Sequence, residues 1–153
     1  MRFRVLAVGP RQPGWVNEGV EEYRRRLPGL DLVELPLARR SKAQSAVAAR
    51  DDEGRRLLAR LGAQDHVVTL EVEGTAHATG ALARRVETWL GLGRPVCFLI
   101  GGPDGLSAEV RARAEESWSL SPLTLPHGLA RLVLAEALYR AWSVLQGHPY
   151  HRD

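Results

Sequence analysis

Pro95-Val96-Cys97-Phe98-Leu99-Ile100-Gly101-Gly102-Pro103-Asp104-Gly105-Leu106-Ser107 takes the most apolar run of the chain straight into a glycine-rich turn. A continuous apolar run of this length predicts a central parallel strand covered on both faces. Ligands on open α/β sheets sit outside the carboxyl ends of the strands, and glycine there lets a ligand approach the backbone. A tight turn with glycine at positive φ and no ligand reads from the same residues. The turn is not a dinucleotide fingerprint, because no G-x-G-x-x-G is present, and it is not a P-loop, because no Lys-Ser/Thr follows.

Outward from this strand, strand and helix signals alternate. Phe3–Val8 is a short apolar run stopped by Gly9-Pro10, and Asp31–Leu35 and His66–Val72 read as further strands. Trp15, Val16, Val20, Tyr23 and Leu27 recur at three- and four-residue steps, which predicts an amphipathic helix ended by Pro28-Gly29. Residues 44–61 and Ala81–Leu90 predict two more helices, closed by Gly62 and Gly91. Ser107-Ala-Glu109 resembles a helix cap with an early acid, so a helix is expected over 107–117. The last helix runs from about Gly128 to Gln146, with Leu129, Leu132, Val133, Leu138, Tyr139, Trp142 and Leu145 on one broad face. Trp89, Trp118 and Trp142 read as core residues on helical faces. The whole, residues 1–153, is expected to be one α/β domain with a mostly parallel sheet flanked by helices.

Two segments near the carboxyl end stand apart. Leu120-Ser-Pro-Leu-Thr-Leu-Pro-His127 carries two prolines four apart, so it is neither helix nor regular strand. A loop with three leucines should line or fill a cavity, either as a buried connector or as a reader of a flat polar ligand through uncommitted backbone groups. The tail, His148-Pro-Tyr-His-Arg-Asp153, places two imidazoles, a phenol and a guanidinium within five residues. All four can stack on or hydrogen-bond to a nucleotide, whereas two histidines without a third ligand make a poor metal site. No metal is expected.

Of 21 cations, 20 are arginine, with Lys42 the exception, and residues 1–60 carry 13 of them against 8 acids. Arginine makes planar, bidentate contacts with phosphate. Arg24-Arg25-Arg26 and Arg39-Arg40-Ser41-Lys42 therefore read either as solvated surface or as a nucleic-acid patch. The single Cys97 excludes an intrachain disulfide and a cysteine-based zinc site. No apolar run approaches the ~20 residues that span a bilayer, and the amino terminus lacks a signal-peptide pattern, so the cytoplasm is expected. No G-x-S-x-G or H-E-x-x-H motif is present, which leaves a small hydrolase without its machinery.

Taken together, Ile100–Ser107, Trp118–His127, Leu134-Ala-Glu-Ala-Leu-Tyr-Arg-Ala-Trp-Ser143 and His148–Arg152 resemble the ribosomal RNA large subunit methyltransferase H family. Leu6-Ala-Val-Gly9 and Val68-Thr-Leu-Glu71 resemble it too, so the likeness covers essentially the whole chain. The resemblance implies a SPOUT-class α/β fold with a carboxyl-terminal trefoil knot, working as a homodimer. It implies methyl transfer from S-adenosylmethionine to N3 of a pseudouridine in 23S ribosomal RNA of the ribosome's large subunit. By position it puts the cofactor contacts on Leu70, Gly101, Leu120, Ser121, Pro122, Leu123, Thr124 and Leu125.

The imide N3–H must lose its proton, so a base or an anion-stabilising cation would help. His127, Arg140, His148, Tyr150, His151 and Arg152 are the candidates, with Arg152, Tyr150 and His127 placed foremost. The tail is expected to close over the active site, with Tyr150 stacking near the target base and Arg152 steadying charge. Gly101→Val is expected to block the cofactor while leaving the fold intact. The rival reading is a non-catalytic RNA-binding module with no cofactor.

Overall fold

The computed structural model describes residues 2–42 and 44–150. In chain order the elements are β1 (Phe3–Val8), α1 (Gly14–Arg26), β2 (Leu30–Leu35), α2 (Ala46–Ala59), β3 (His66–Ala76), α3 (Thr79–Gly91), β4 (Val96–Ile100), α4 (Ala108–Arg113), β5 (Glu116–Ser119) and α5 (His127–Leu145). The strands form one sheet in the order β2-β1-β4-β3-β5, and every neighbouring pair is parallel. All five residues of β4 are buried, as its apolar run requires.

The pleat sends alternate side chains to opposite faces. Phe3, Val5 and Ala7 of β1 join Val96, Phe98 and Ile100 of β4 beneath α3 and α5, with Tyr23 of α1 packed alongside. Leu6, Val8 and Leu99 point the other way and meet Leu57 of α2 and Val110 of α4. The first face holds a ring cluster: Phe98 lies 5.3 Å from Trp89 and 6.1 Å from Trp118, both close to edge-on. The indole N–H of Trp89 donates to Glu116 at 2.8 Å, which satisfies the one polar atom that this ring buries. Helices α2 and α4 begin on serine caps, where Ser45 Oγ accepts from the Ala48 N–H and Ser107 Oγ from the Val110 N–H.

One expectation fails. The helix predicted over 107–117 ends at Arg113, and residues 116–119 form β5 beside β3. Trp118 is core, as expected, but it belongs to this strand and not to a helix. Glu-Ser-Trp-Ser has no apolar alternation to announce a strand. The switch is made through the backbone of β3, where Glu115 N donates to the Val67 carbonyl and the Val67 N–H donates to the Glu115 carboxylate.

The β3–β5 pairing skips between Leu70 and Thr75, so β3 bulges there. Gly74 permits the close approach, since a β-carbon on it would stand 2.8 Å from the Trp118 backbone. Bulges re-aim side chains, and this one sits at the carboxyl end of β3 where the sheet opens to a cavity.

Candidate functional site

A cavity of about 530 Å³ opens at the carboxyl ends of β1, β4 and β3, within the ~300–1,000 Å³ of small-molecule sites. Leu70, Gly101, Leu120, Ser121, Leu123, Thr124 and Leu125 line it, and of the eight sequence-predicted contacts only Pro122 does not. The stiffened loop is held by its own hydroxyls: Ser119 Oγ donates to the Ser121 carbonyl, and Ser121 Oγ accepts from the Leu123 N–H. Leu123 is 72% exposed, a large apolar side chain left at the mouth.

Three parts of the wall escaped the sequence reading. The β3 bulge contributes Glu71, Val72 and Glu73; the end of β1 contributes Val8, Gly9 and Pro10; and α4 contributes Arg111. Glu71 accepts from Arg111 and from the hydroxyls of Thr69 and Ser117, whereas Glu73 has no side-chain partner among the described residues. The Leu-Glu-Val-Glu alternation at 70–73 was visible, but it reads as plain strand unless the bulge is known.

Behind the glycine-rich turn lies a buried carboxylate. Glu53 of α2 is 1% exposed and accepts from the Ala38 N–H and from both terminal nitrogens of Arg40 at 2.8 and 3.0 Å. Arg40 Nε donates in turn to Asp104 of the turn. These two acids raise the guanidinium pKa, so this member of the Arg39–Lys42 run is committed to the protein itself.

His127 opens α5 and lines the cavity. Its Nε2 accepts from Arg131 Nε at 2.9 Å, and Arg131 Nη1 donates to Glu34 at 2.9 Å. Burial, then the neighbouring Arg131 charge, lower the imidazole pKa, with the Gly101 backbone carbonyl and Glu34 pulling the other way. His127 is therefore a neutral ring whose Nε2 lone pair is already occupied.

The other predicted side chains lie elsewhere. From His127 at the cavity, α5 runs 19 residues, about 28 Å, away from it. Tyr150 follows its far end but folds back on the helix, where its hydroxyl meets Tyr23 at 3.0 Å and Glu136 at 3.3 Å and its ring lies 4.7 Å from Tyr139. Arg140 is on the same distal part of α5, paired with Glu136. His148 is exposed, and His151 and Arg152 lie outside the described residues. The structure thus gathers the predicted cofactor contacts and leaves Tyr150 outside the cavity they line. Among the described residues no group of three or more His, Cys, Asp or Glu is placed to hold a metal. No helix there is long and apolar enough to cross a membrane.

An all-parallel sheet whose strand ends, glycine turn and proline-stiffened loop enclose one cavity defines an α/β protein built around a small-molecule site. The family model described as "Predicted SPOUT methyltransferase" matches residues 1–151. The "Ribosomal RNA large subunit methyltransferase H" of Alkalilimnicola ehrlichii is 57% identical over 99% of both chains, and that of Hahella chejuensis is 52% identical over 100% of both. The chain belongs to the SPOUT methyltransferases, and within them to the ribosomal RNA large subunit methyltransferase H family. Solved structures agree on the fold. A probable methylase family protein from Haemophilus influenzae superposes with a TM-score of 0.55 at 12% identity, over 99% of this chain and 70% of that one. The SpoU methyltransferase AviRb from Streptomyces viridochromogenes, solved with AdoMet, gives 0.50 at 17% identity, over 96% and 59%.

Proposed function

We propose that this chain, acting as a single-domain cytoplasmic enzyme, transfers a methyl group from S-adenosylmethionine to N3 of a pseudouridine in 23S ribosomal RNA of the large subunit. The observation that carries the reading is that Leu70, Gly101 and most of residues 120–125, the positions implied by the family resemblance, line one cavity. The residues fit the cofactor. Leu70, Ile100, Leu106 and Leu125 give apolar walls, the 120–125 loop has backbone groups free of any ladder, and Glu71 and Glu73 bring acids to the rim.

When bound, S-adenosylmethionine supplies an activated methyl on a cationic sulfur. The protein's share is alignment of donor and nucleophile, which is worth several kcal/mol of barrier. Glu73, the acid left without a side-chain partner among the described residues, favours the cationic sulfonium by charge, and the apolar walls keep water from the methyl path. With the N3 proton given up to solvent, a cation held near the ring would stabilise the N3 anion. Formation of the N3–methyl bond would break the methyl–sulfur bond and release the neutral thioether S-adenosylhomocysteine.

Arg152 and Tyr150 are assigned to that side of the reaction, from a second copy of the chain. Within one chain Tyr150 is held by Tyr23 and Glu136, the latter about 14 Å of helix from His127, and it does not line the cavity. The homodimer expected for the family removes this difficulty, because a partner's tail can cover the cavity. His127 is assigned to holding the cavity wall, since its Nε2 is taken by Arg131.

The test combines titration with S-adenosylmethionine and methyl transfer to large ribosomal subunits, with digestion and mass analysis of the modified base. Saturable binding and one methylpseudouridine per subunit are expected. RNA binding without cofactor binding would replace this reading by a non-catalytic module. Sedimentation giving only a 16.9 kDa species at micromolar concentration would remove the dimer.

A further inference from the structure

We propose that Arg131 is a positioning residue for the cofactor cavity: it holds His127 in one tautomer and orientation, and the His127 ring in turn braces the end of β1 at Gly9 in the cavity wall. The inference rests on the cofactor reading given above and goes beyond it by assigning two residues that no cofactor contact requires.

Arg131 is 2% exposed, in a stretch of α5 whose neighbours Leu134 and Leu138 are core. Its Nη2 is buried without a hydrogen-bond partner among the described residues. Its one ionic partner among the described residues, Glu34 of β2, has a side chain 41% exposed. For folding alone an apolar residue of similar volume is as good or better at such a position. What sets the arginine apart from such a residue is what its guanidinium touches.

It touches His127, one helical turn away, through Nε–H to Nε2 at 2.9 Å. A donor on Nε2 forces the imidazole proton onto Nδ1, because in the neutral ring one nitrogen donates and the other accepts. The Nδ1–H is then the ring's remaining donor, and the Gly101 backbone is the neighbour that favours the protonated ring. The ring also fills the space above Gly9, where a β-carbon would stand 2.8 Å from Nε2. One side chain thus braces the end of β1 in the cavity wall. The groups facing the ring are Arg131 from its own helix, Glu34 from β2, the Gly101 carbonyl after β4 and the uncharged Gly9 after β1.

The same logic operates in a metal-bound histidine whose outer partner sets its tautomer, and here it is applied to a histidine in a cavity wall. Without Arg131 the ring can rotate off Gly9, and it can also take up a second proton beside a cationic cofactor.

The experiment measures S-adenosylmethionine affinity, turnover at saturating cofactor and melting temperature for Arg131→Met, His127→Leu and His127→Gln between pH 6 and 8. Arg131→Met and His127→Leu are expected to weaken cofactor binding by about tenfold or more, with turnover at saturation falling much less. Glutamine, which can accept from Arg131 and fill the space over Gly9, should recover most of the affinity lost in His127→Leu. Arg131→Met should also lose S-adenosylmethionine affinity as pH falls, and lose S-adenosylhomocysteine affinity less, because the latter lacks the sulfonium charge. A folded Arg131→Met that binds the cofactor as the wild type does at every pH overturns the proposal. So does His127→Gln losing turnover as fully as His127→Leu, which would make the ring a base, and this pair decides the matter if Arg131→Met does not fold. A wild type that binds no S-adenosylmethionine at all overturns the cofactor reading itself, an outcome distinct from either.

Discussion

A β-carbon placed on Gly102 would stand 2.9 Å from Glu53 Oε1, so the buried carboxylate of α2 lies directly behind the glycine-rich turn. Glu53 also accepts from Ala38 N–H and Arg40, and Arg40 reaches Asp104 on the same turn. The acid therefore fastens the 36–42 loop and the turn to one helix. Glu53→Ala leaves the Ala38 N–H unsatisfied and Arg40 without its main partner, at a cost of about 2–3 kcal/mol. Urea unfolding should show that loss, and cofactor affinity should fall with it. Asp104→Asn, at the exposed end of the same network, should cost under about 1 kcal/mol.

Gly101 has a structural duty as well as a ligand-facing one. A β-carbon there would come 2.7 Å from the Gly105 carbonyl oxygen, inside the turn that pairs Gly102 with Gly105. Gly101→Val is thus expected to lower the melting temperature by several degrees along with cofactor affinity, which corrects the expectation of an intact fold. Leu123→Ala, at an exposed side chain on the opposite wall, should lower affinity with no thermal effect. Unchanged melting of Gly101→Val would show that the turn can relax.

Acid should weaken the fold through Glu116. Burial pushes its carboxyl up, but the hydrogen bonds from Arg85, Trp89 and His66 outweigh it and bring the pKa down to about 2. A carboxylate lowered by folding stabilises the protein above its unfolded value near 4.5, and that contribution is lost as pH falls toward about 2. The loss amounts to about 3 kcal/mol at most. Melting temperatures measured from pH 6 to pH 2 should fall through that window in the wild type. Glu116→Gln should start lower at pH 6 and fall less. A parallel decline in both would assign the acid sensitivity to other groups.

The fold was legible where burial leaves a mark on composition. The unbroken apolar run at 96–100 announces a strand covered on both faces, and the glycines and prolines around 101–105 and 120–126 announce the cavity's two loops. What escaped was structure made by partners distant in sequence. β5 exists because β3 offers it a ladder, and the β3 bulge exists because Gly74 admits the Trp118 backbone. Arg40 and Arg131 look like any other arginine in a sequence rich in them; only their acids, 13 and 97 residues away, make one a clamp and the other a buried support. Tyr150 read as a ligand-stacking ring, and in one chain it packs against Tyr139 and Tyr23 instead.

The two basic runs separate by topology. Because β1 and β2 are parallel, α1 must return from the cavity edge to the opposite edge of the sheet, and its last turn carries Arg24, Arg25 and Arg26 there. These three pair with Glu21, Glu22 and Asp31. Arg39 and Lys42, by contrast, follow β2 on the cavity side and are exposed with no partner among the described residues. Arg39→Ala with Lys42→Ala should make the slope of log affinity for ribosomal RNA against log salt shallower, by about 1 for each phosphate no longer neutralised. The triple alanine variant of Arg24–Arg26 should leave that slope unchanged. The reverse pattern would move the RNA to the other edge of the sheet.

The tail allows a sharper separation of chemistry from packing. The Tyr150 hydroxyl bonds to Tyr23 and Glu136, and burial with these neighbours raises its pKa, so the phenol is a neutral donor and no base. Tyr150→Phe removes only those bonds and should cost about 1 kcal/mol of stability. Arg152→Ala should leave the melting temperature and cofactor affinity in place and lower methyl transfer by about tenfold or more, or ~1.4 kcal/mol of barrier. If the arginine acts across a dimer, an inactive Arg152→Ala copy mixed with an inactive Gly101→Val copy should recover activity. A mixed dimer holds one intact cavity facing one intact tail, so up to about half the wild-type rate per such dimer is expected. Recovery on mixing cannot arise if each tail serves its own chain, because every cavity then lacks either its glycine or its arginine. Full activity of folded Arg152→Ala alone would end the tail's part in the chemistry and leave Tyr150 as packing.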